Sequence, residues 1–174
     1  SSSPHVRCGV STKNLMYDVA IAMLPATIWG VMQFGIYSLI VVVATVLSCV
    51  LSEYLFETLM HKPVTISDGS ALVTGMILGL NMPPAIPLWM PILGGVFAII
   101  VVKQLYGGLG QNWMNPALAA RCFMLISFAQ AMTKFTDPVT DAVASATPLA
   151  AIKAGDTYDL AAMFIGKIPG TIGE

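Results

Sequence analysis

The chain has 174 residues, of which 56% are hydrophobic and only 10% are charged, with a formal net charge of −1. Soluble domains carry about a quarter charged residues, and a balance this close to neutral implies neither nucleic acid nor an anionic surface as a partner. The charges are also segregated: no Asp, Glu, Lys, Arg or His lies between Val19 and Ser52 or between Gly69 and Val102. Each run far exceeds the roughly 20 residues that span a bilayer core, so the composition excludes a water-soluble domain and predicts an all-α integral membrane protein.

Residues 1–13 read as a polar tail, without a signal peptide. Both ends of the chain, Ser1 and Gly173-Glu174, read as cut from a longer one. The first apolar segment runs from about Leu15 to Phe34, with a kink expected at Pro25. After Gln33-Phe34-Gly35 the second helix runs from Ile36 to about Met60, ending with Glu53 and Glu57 at i, i+4 and then His61-Lys62-Pro63. The third segment, Ser70 to Leu80, starts at Asp68-Gly69-Ser70 and stops at Asn81-Met82-Pro83-Pro84. Its length of about 16 Å is roughly half a bilayer core. Two readings stand: a broken or re-entrant element covered by protein, or a short tilted spanning helix.

Pro87 to Leu105 is the fourth segment, with Gly94-Gly95 as a close-packing face, and Gly107-Gly108-Leu109-Gly110 ends it. Asn115 as N-cap and Pro116 at N1 open a fifth helix that runs to about Met132 and contains Arg121. An arginine at that depth is costly and is expected to face the protein interior, an anion or a polar cofactor; snorkelling is the other reading. From Thr133 the chain turns polar, with one short helix from Pro148 to Ala154 and an interfacial apolar patch from Asp159 to Ile168. The domain reading is therefore a tail at 1–13, a helical bundle at 14–132 and a solvated loop at 133–174. Arg7 and Lys13 beside the first helix predict a cytoplasmic N-terminus. The side on which residue 133 emerges then depends on whether the third segment spans.

Cys8, Cys49 and Cys122 have no C-x-x-C spacing, and Cys49 and Cys122, inside apolar segments, read as small buried hydrophobes. No metal ligand set and no catalytic nucleophile or base is visible. His61 beside Lys62 reads as interfacial.

The run Asp141-Ala142-Val143-Ala144-Ser145-Ala146-Thr147-Pro148 has its own chemistry. Thr147 before Pro148 sits at an N-cap, where the free amides of Leu149 and Ala150 and the helix dipole favour a phosphate on the hydroxyl oxygen. An ordinary cap is the plainer reading of the same residues.

Four stretches together carry a resemblance: Ser2 to Arg7, Asp68 to Gly75, Gly107 to Leu118 (Gly-Gly-Leu-Gly-Gln-Asn-Trp-Met-Asn-Pro-Ala-Leu) and Asp141 to Pro148. The chain resembles the N-terminal half of the D subunit of the Rnf complex, an ion-pumping ferredoxin:NAD+ oxidoreductase, and the related B subunit of the Na+-translocating NADH:quinone reductase. The resemblance implies the first of two inverted five-helix repeats in a urea-transporter-like fold, followed by a solvated flavin-bearing loop. It implies covalent FMN on Thr147 through a phosphoester, within the motif from Asp141, with Ser145 where the usual pattern has glycine. It implies a non-covalent riboflavin as well, for which Asn112, Asn115 and Arg121 are the polar groups in this half. Flavin attachment outside the cytoplasm in that family favours an outer location for Thr147 and a spanning third segment. The implied role is electron carriage within an ion-translocating complex of the inner (cytoplasmic) membrane, with other membrane and redox subunits and the lipid bilayer as partners and the flavin supplying the chemistry. A solute channel or transporter half, and a purely structural membrane component, are the competing functions.

Overall fold

The computed structural model describes residues 11–136, 143–144, 153 and 164–174. Helix α1 spans Thr12–Phe34 and α2 spans Ile36–Leu59. At 1.5 Å per residue each is about 35 Å long, enough to cross a hydrocarbon core of about 30 Å. Both are long and apolar enough to span by length and composition. Their outward side chains are apolar, with Ile21 63% and Met32 72% exposed. Such a surface suits lipid as the surrounding solvent. The first helix starts earlier than hydrophobicity alone suggests, because Ser11 Oγ accepts from Asn14 N at 3.4 Å and caps Thr12–Asn14 into the helix. Pro25 lies inside α1 without ending it.

Gly35, at φ 83°, is the single residue between α1 and α2, so the two helices fold back as a tight hairpin. The end of the bundle that holds Gly35 is called the distal end here, and the end that holds Thr12 and Leu59 the proximal end. Gly69, at φ 77°, returns the chain at the proximal end against Met16 and Tyr17. Asp68 Oδ1 accepts from Ser70 N at 2.8 Å and from Ser70 Oγ at 2.6 Å, which fixes the start of α3 (Ser70–Leu80).

The α3 helix is nearly all buried and lies against α2 at backbone distance. A Cβ on Gly75 would sit 2.6 Å from Val46 Cα, and one on Gly79 would sit 3.0 Å from Val42 Cα. The helix stops short of the distal end. The proline-rich stretch 81–88 completes the passage, and the Tyr37 hydroxyl donates to the Ile86 carbonyl there at 2.9 Å. The helix ends at Leu80, and the stretch that follows it reaches the end of the bundle that holds Tyr37.

Helix α4 (Trp89–Val96) returns along α2 and widens into a π-helical segment, Phe97–Gln104. Gly95 permits the approach to Ser48 and Cys49. Helix α5 (Pro116–Ser127) runs back to the distal end, with Ala117, Ala120 and Met124 in the core. Its first turn is capped by Asn115 Oδ1, which accepts from Ala117 N at 3.0 Å. The fifth helix is not continuous to Met132. It breaks at Phe128, whose ring meets Trp89 edge-on at 5.2 Å, and resumes as the single turn α6, Ala129–Met132.

Among the described residues one exception to the all-helical expectation occurs, a two-residue antiparallel pairing of β1 (Phe135–Thr136) with β2 (Val143–Ala144). Residues 164–174 then fold back on the bundle. The Trp29 indole donates to the Ile165 carbonyl at 3.0 Å. Ile172 N and Gly173 N donate to the Met82 and Leu80 carbonyls at 3.1 and 2.8 Å. The main core cluster runs through α2, α3, α4 and α5, with Ile172 added to it, and two smaller clusters centre on Ala20, Val73 and Met76 and on Cys49, Ala71 and Ile99.

Candidate functional site

The proximal end holds a buried polar network that the sequence reading did not assemble. Lys103, at the end of the π-helical segment, is 2% exposed, and its ammonium lies 2.5 Å from Oε1 of the fully buried Glu53. The same ammonium donates to Ser70 Oγ at the start of α3. Gln104 Nε2 donates to Glu53 Oε1 at 2.8 Å and to Glu57 Oε1 at 3.2 Å. Glu57 in turn accepts from Thr65 N at 3.0 Å. Spacing of i, i+4 puts both glutamates on one face of α2, and that face is turned inward. Glu53 Oε2 is buried with no hydrogen-bond partner among the described residues. A buried charge of this kind is tolerated only when paired, and Lys103 is the pairing cation. The available signal was Lys103 itself, the first charge after the long neutral run that begins at Gly69.

Beside this network lies a cavity of about 120 Å³ lined by Ser70, Thr74, Lys103, Asn112 and Asn115, with Met16, Val73, Ile77, Leu109 and Pro116 as its apolar wall. Two of the sequence-derived flavin residues therefore meet here. Asn112 Nδ2 donates to the Met114 carbonyl at 3.1 Å, which leaves its oxygen as an acceptor. The oxygen of Asn115 is committed to capping α5, which leaves its amide N–H groups as donors. An adjacent acceptor and donor suit a ligand edge that carries N–H beside C=O.

Arg121 is elsewhere. It is half-buried in the middle of α5, and its Nη1 donates to Asn81 Oδ1 at 2.6 Å. Asn81 is oriented by its own Nδ2, which donates to the Ile77 carbonyl at 2.8 Å. Its side chain faces the described bundle, and its partner is Asn81, which caps the end of α3. This pair lines a second cavity, of about 420 Å³, between α1, α3, α5 and residues 171–174.

A third cavity, about 530 Å³ and apolar, lies between the π-helical segment and α5. Cys122 lines it and is exposed, so it is not the buried hydrophobe expected from its segment. In a membrane protein lipid is as apolar as the core, so an apolar neighbourhood does not tell the two faces apart. Cys49 is buried, as expected. Among the described residues there is no group of three or more His, Cys, Asp or Glu able to hold a metal ion. Asp141, Ser145 and Thr147 lie outside the described residues.

Comparison with known proteins bears on the whole chain. The family model for the NQR2, RnfD, RnfE family matches residues 1–174. The chain is 46% identical over 173 residues to the D subunit of the Na+-translocating ferredoxin:NAD+ oxidoreductase complex of Acetobacterium woodii, covering 99% of this chain and 52% of that protein. It is 41% identical over 188 residues to the D subunit of the proton-translocating ferredoxin:NAD+ oxidoreductase complex of Clostridium ljungdahlii, covering 100% of this chain and 57% of that protein. The D subunit of the ion-translocating oxidoreductase complex of Shewanella denitrificans matches at 40% over 156 residues, 88% of this chain and 45% of the relative. The chain thus spans about half the length of the curated relatives it matches.

Proposed function

The chain belongs to the NQR2, RnfD, RnfE family, and from that premise we propose that it is the flavin-bearing membrane portion of the D subunit in an ion-translocating ferredoxin:NAD+ oxidoreductase. The observation that carries the reading is the match of the whole chain, end to end, with the D subunits of such complexes. The relatives include one named for Na+ and one named for protons, so the coupling ion is a separate question.

In this reading Thr147 bears FMN through its hydroxyl, within the stretch from Asp141 through Ser145. The chain path supports an outer position for that stretch. With the N-terminus cytoplasmic, α5 ends at the distal end beside Trp89, opposite the proximal end where α1 begins. A bound flavin supplies one- and two-electron transfer. The protein holds it.

A non-covalent riboflavin has its best-matched groups at the proximal cavity. Asn112 offers an acceptor and Asn115 a donor to the uracil-like edge of an isoalloxazine, with the Glu53-paired Lys103 in the same wall. The 120 Å³ cavity admits that edge and not the whole ring system. Arg121 does not share this cavity and is left out of the riboflavin set.

Mass spectrometry of the tryptic peptide that contains Thr147, from assembled complex, tests the covalent reading. An FMN adduct is expected, and an unmodified peptide from active complex overturns it.

A further inference from the structure

Broken membrane helices commonly expose a negative C-terminal end that receives a cation. In this chain α3 is such a helix, and its end is occupied by the protein itself. The last carbonyls are consumed internally: Ile77 by the Asn81 side chain, Gly79 by Met82 N and Leu80 by Gly173 N. The one cation set at that end, among the described residues, is the Arg121 guanidinium, aimed there through Asn81 Oδ1 at 2.6 Å. Around it lies the cavity of about 420 Å³.

We propose that Arg121 is a fixed counter-charge that bars small cations from the cavity at the end of α3. It thereby confines cation movement to another route. The proposal rests on the reading of the chain as part of an ion-translocating membrane complex, but passive leak needs no electron transfer and is measured apart from it. A half-buried charge inside a bundle is weakly screened by salt, and a single arginine is an effective barrier to cations in pores. Glu174 lines the same cavity and is the one opposing charge there among the described residues. It is exposed, its Oε2 accepts from Thr171 N at 3.1 Å, and the one salt bridge among the described residues is Lys103–Glu53. Among the described residues Arg121 forms no salt bridge, and the neutral Asn81 amide is its hydrogen-bond partner.

The test uses the assembled complex in liposomes, with thallium entry read by quenching of an entrapped dye. Arg121→Gln is expected to raise passive thallium entry by about tenfold, while Arg121→Lys stays as tight as the unmodified complex. A tight Arg121→Gln complex overturns the proposal, and so does a leak that also releases entrapped carboxyfluorescein, since that reports lost packing. A second measurement keeps Arg121 in place. In a Cys8→Ser, Cys122→Ser background, Thr171→Cys is exposed to anionic and cationic methanethiosulfonates. The anionic reagent is expected to react about tenfold faster. Equal rates, a faster cationic reagent or no reaction with either overturns the proposal, whatever Arg121→Gln does to assembly.

Discussion

Lys103 and Glu53 meet at 2.5 Å across the packed faces of two helices, with side chains 2% and 0% exposed. That contact ties the π-helical segment to α2, and through Ser70 it also ties in the start of α3. A pair buried to this degree acts as one unit, because each charge is tolerable only in the presence of the other.

Glu53→Leu alone, or Lys103→Leu alone, is accordingly expected to destabilise the protein by about 3–5 kcal/mol, and the double replacement by much less than the sum. Unfolding of the purified protein in detergent, followed as a double-mutant cycle, checks this. Additive losses show that the two residues are not coupled.

Asn115 has two roles that can be separated. Asn115→Asp retains an oxygen for capping α5 and removes the amide donor. Helix stability is expected to be kept within a few tenths of a kcal/mol, whereas Asn115→Ala costs about 1 kcal/mol. Non-covalent flavin, released by denaturation and quantified by fluorescence, is expected to fall in both variants. Full flavin content in Asn115→Asp confines the residue to capping.

Gly30 seats the returning segment. A Cβ there would overlap the Ile172 carbonyl oxygen, so Gly30→Val is expected to lift residues 164–174 off α1. Hydrogen exchange is the readout: the amides of Ile172 and Gly173 lose protection while those of α2 keep theirs. Unchanged protection at Ile172 removes the seat.

Topology gives a further prediction. A cysteine placed at Thr140 is expected to react with a membrane-impermeant reagent added to intact cells, because the chain path takes α5 to the end opposite Thr12. Labelling only after permeabilisation reverses that orientation.

Thr147→Ala is expected to abolish any flavin adduct and to leave membrane insertion intact, since the long apolar helices α1 and α2 carry the signal for insertion. The two readouts are in-gel flavin fluorescence and the amount of protein recovered in membranes.

Much of the helical frame was legible because its signals are local. Asp68-Gly69-Ser70 and Asn81-Met82-Pro83-Pro84 bracket α3 at its observed bounds, Ser70–Leu80. Asn115-Pro116 marks the cap of α5 for the same reason. The break at Phe128 has no Gly or Pro to announce it and coincides with a tertiary contact to Trp89. The π-helical widening of Phe97–Gln104 likewise leaves no trace in composition.

The site was less legible than the frame. Asn112 and Asn115 meet because they share one short connection, so sequence proximity sufficed. Lys103 with Glu53, and Arg121 with Asn81, are 50 and 40 residues apart, and only the packing of the π-helical segment against α2, and of α5 against α3, brings them together. The cost of burying charge places Arg121 in the interior, but that reasoning identifies a requirement for a partner without naming which one.

The brevity of α3 has a consequence for biosynthesis. Eleven residues make a helix of about 16 Å, too short to be retained across a bilayer as a segment of its own. Its place is held by Val42 and Val46 of α2 on one side and by Gly94 packing toward Leu78 on the other. A nascent chain that has emerged only as far as Asn81 thus lacks a stable third crossing. The hairpin of α1 and α2 has to be seated first and α4 has to arrive afterwards, so the order of emergence from the ribosome is also the order in which this half becomes a membrane protein.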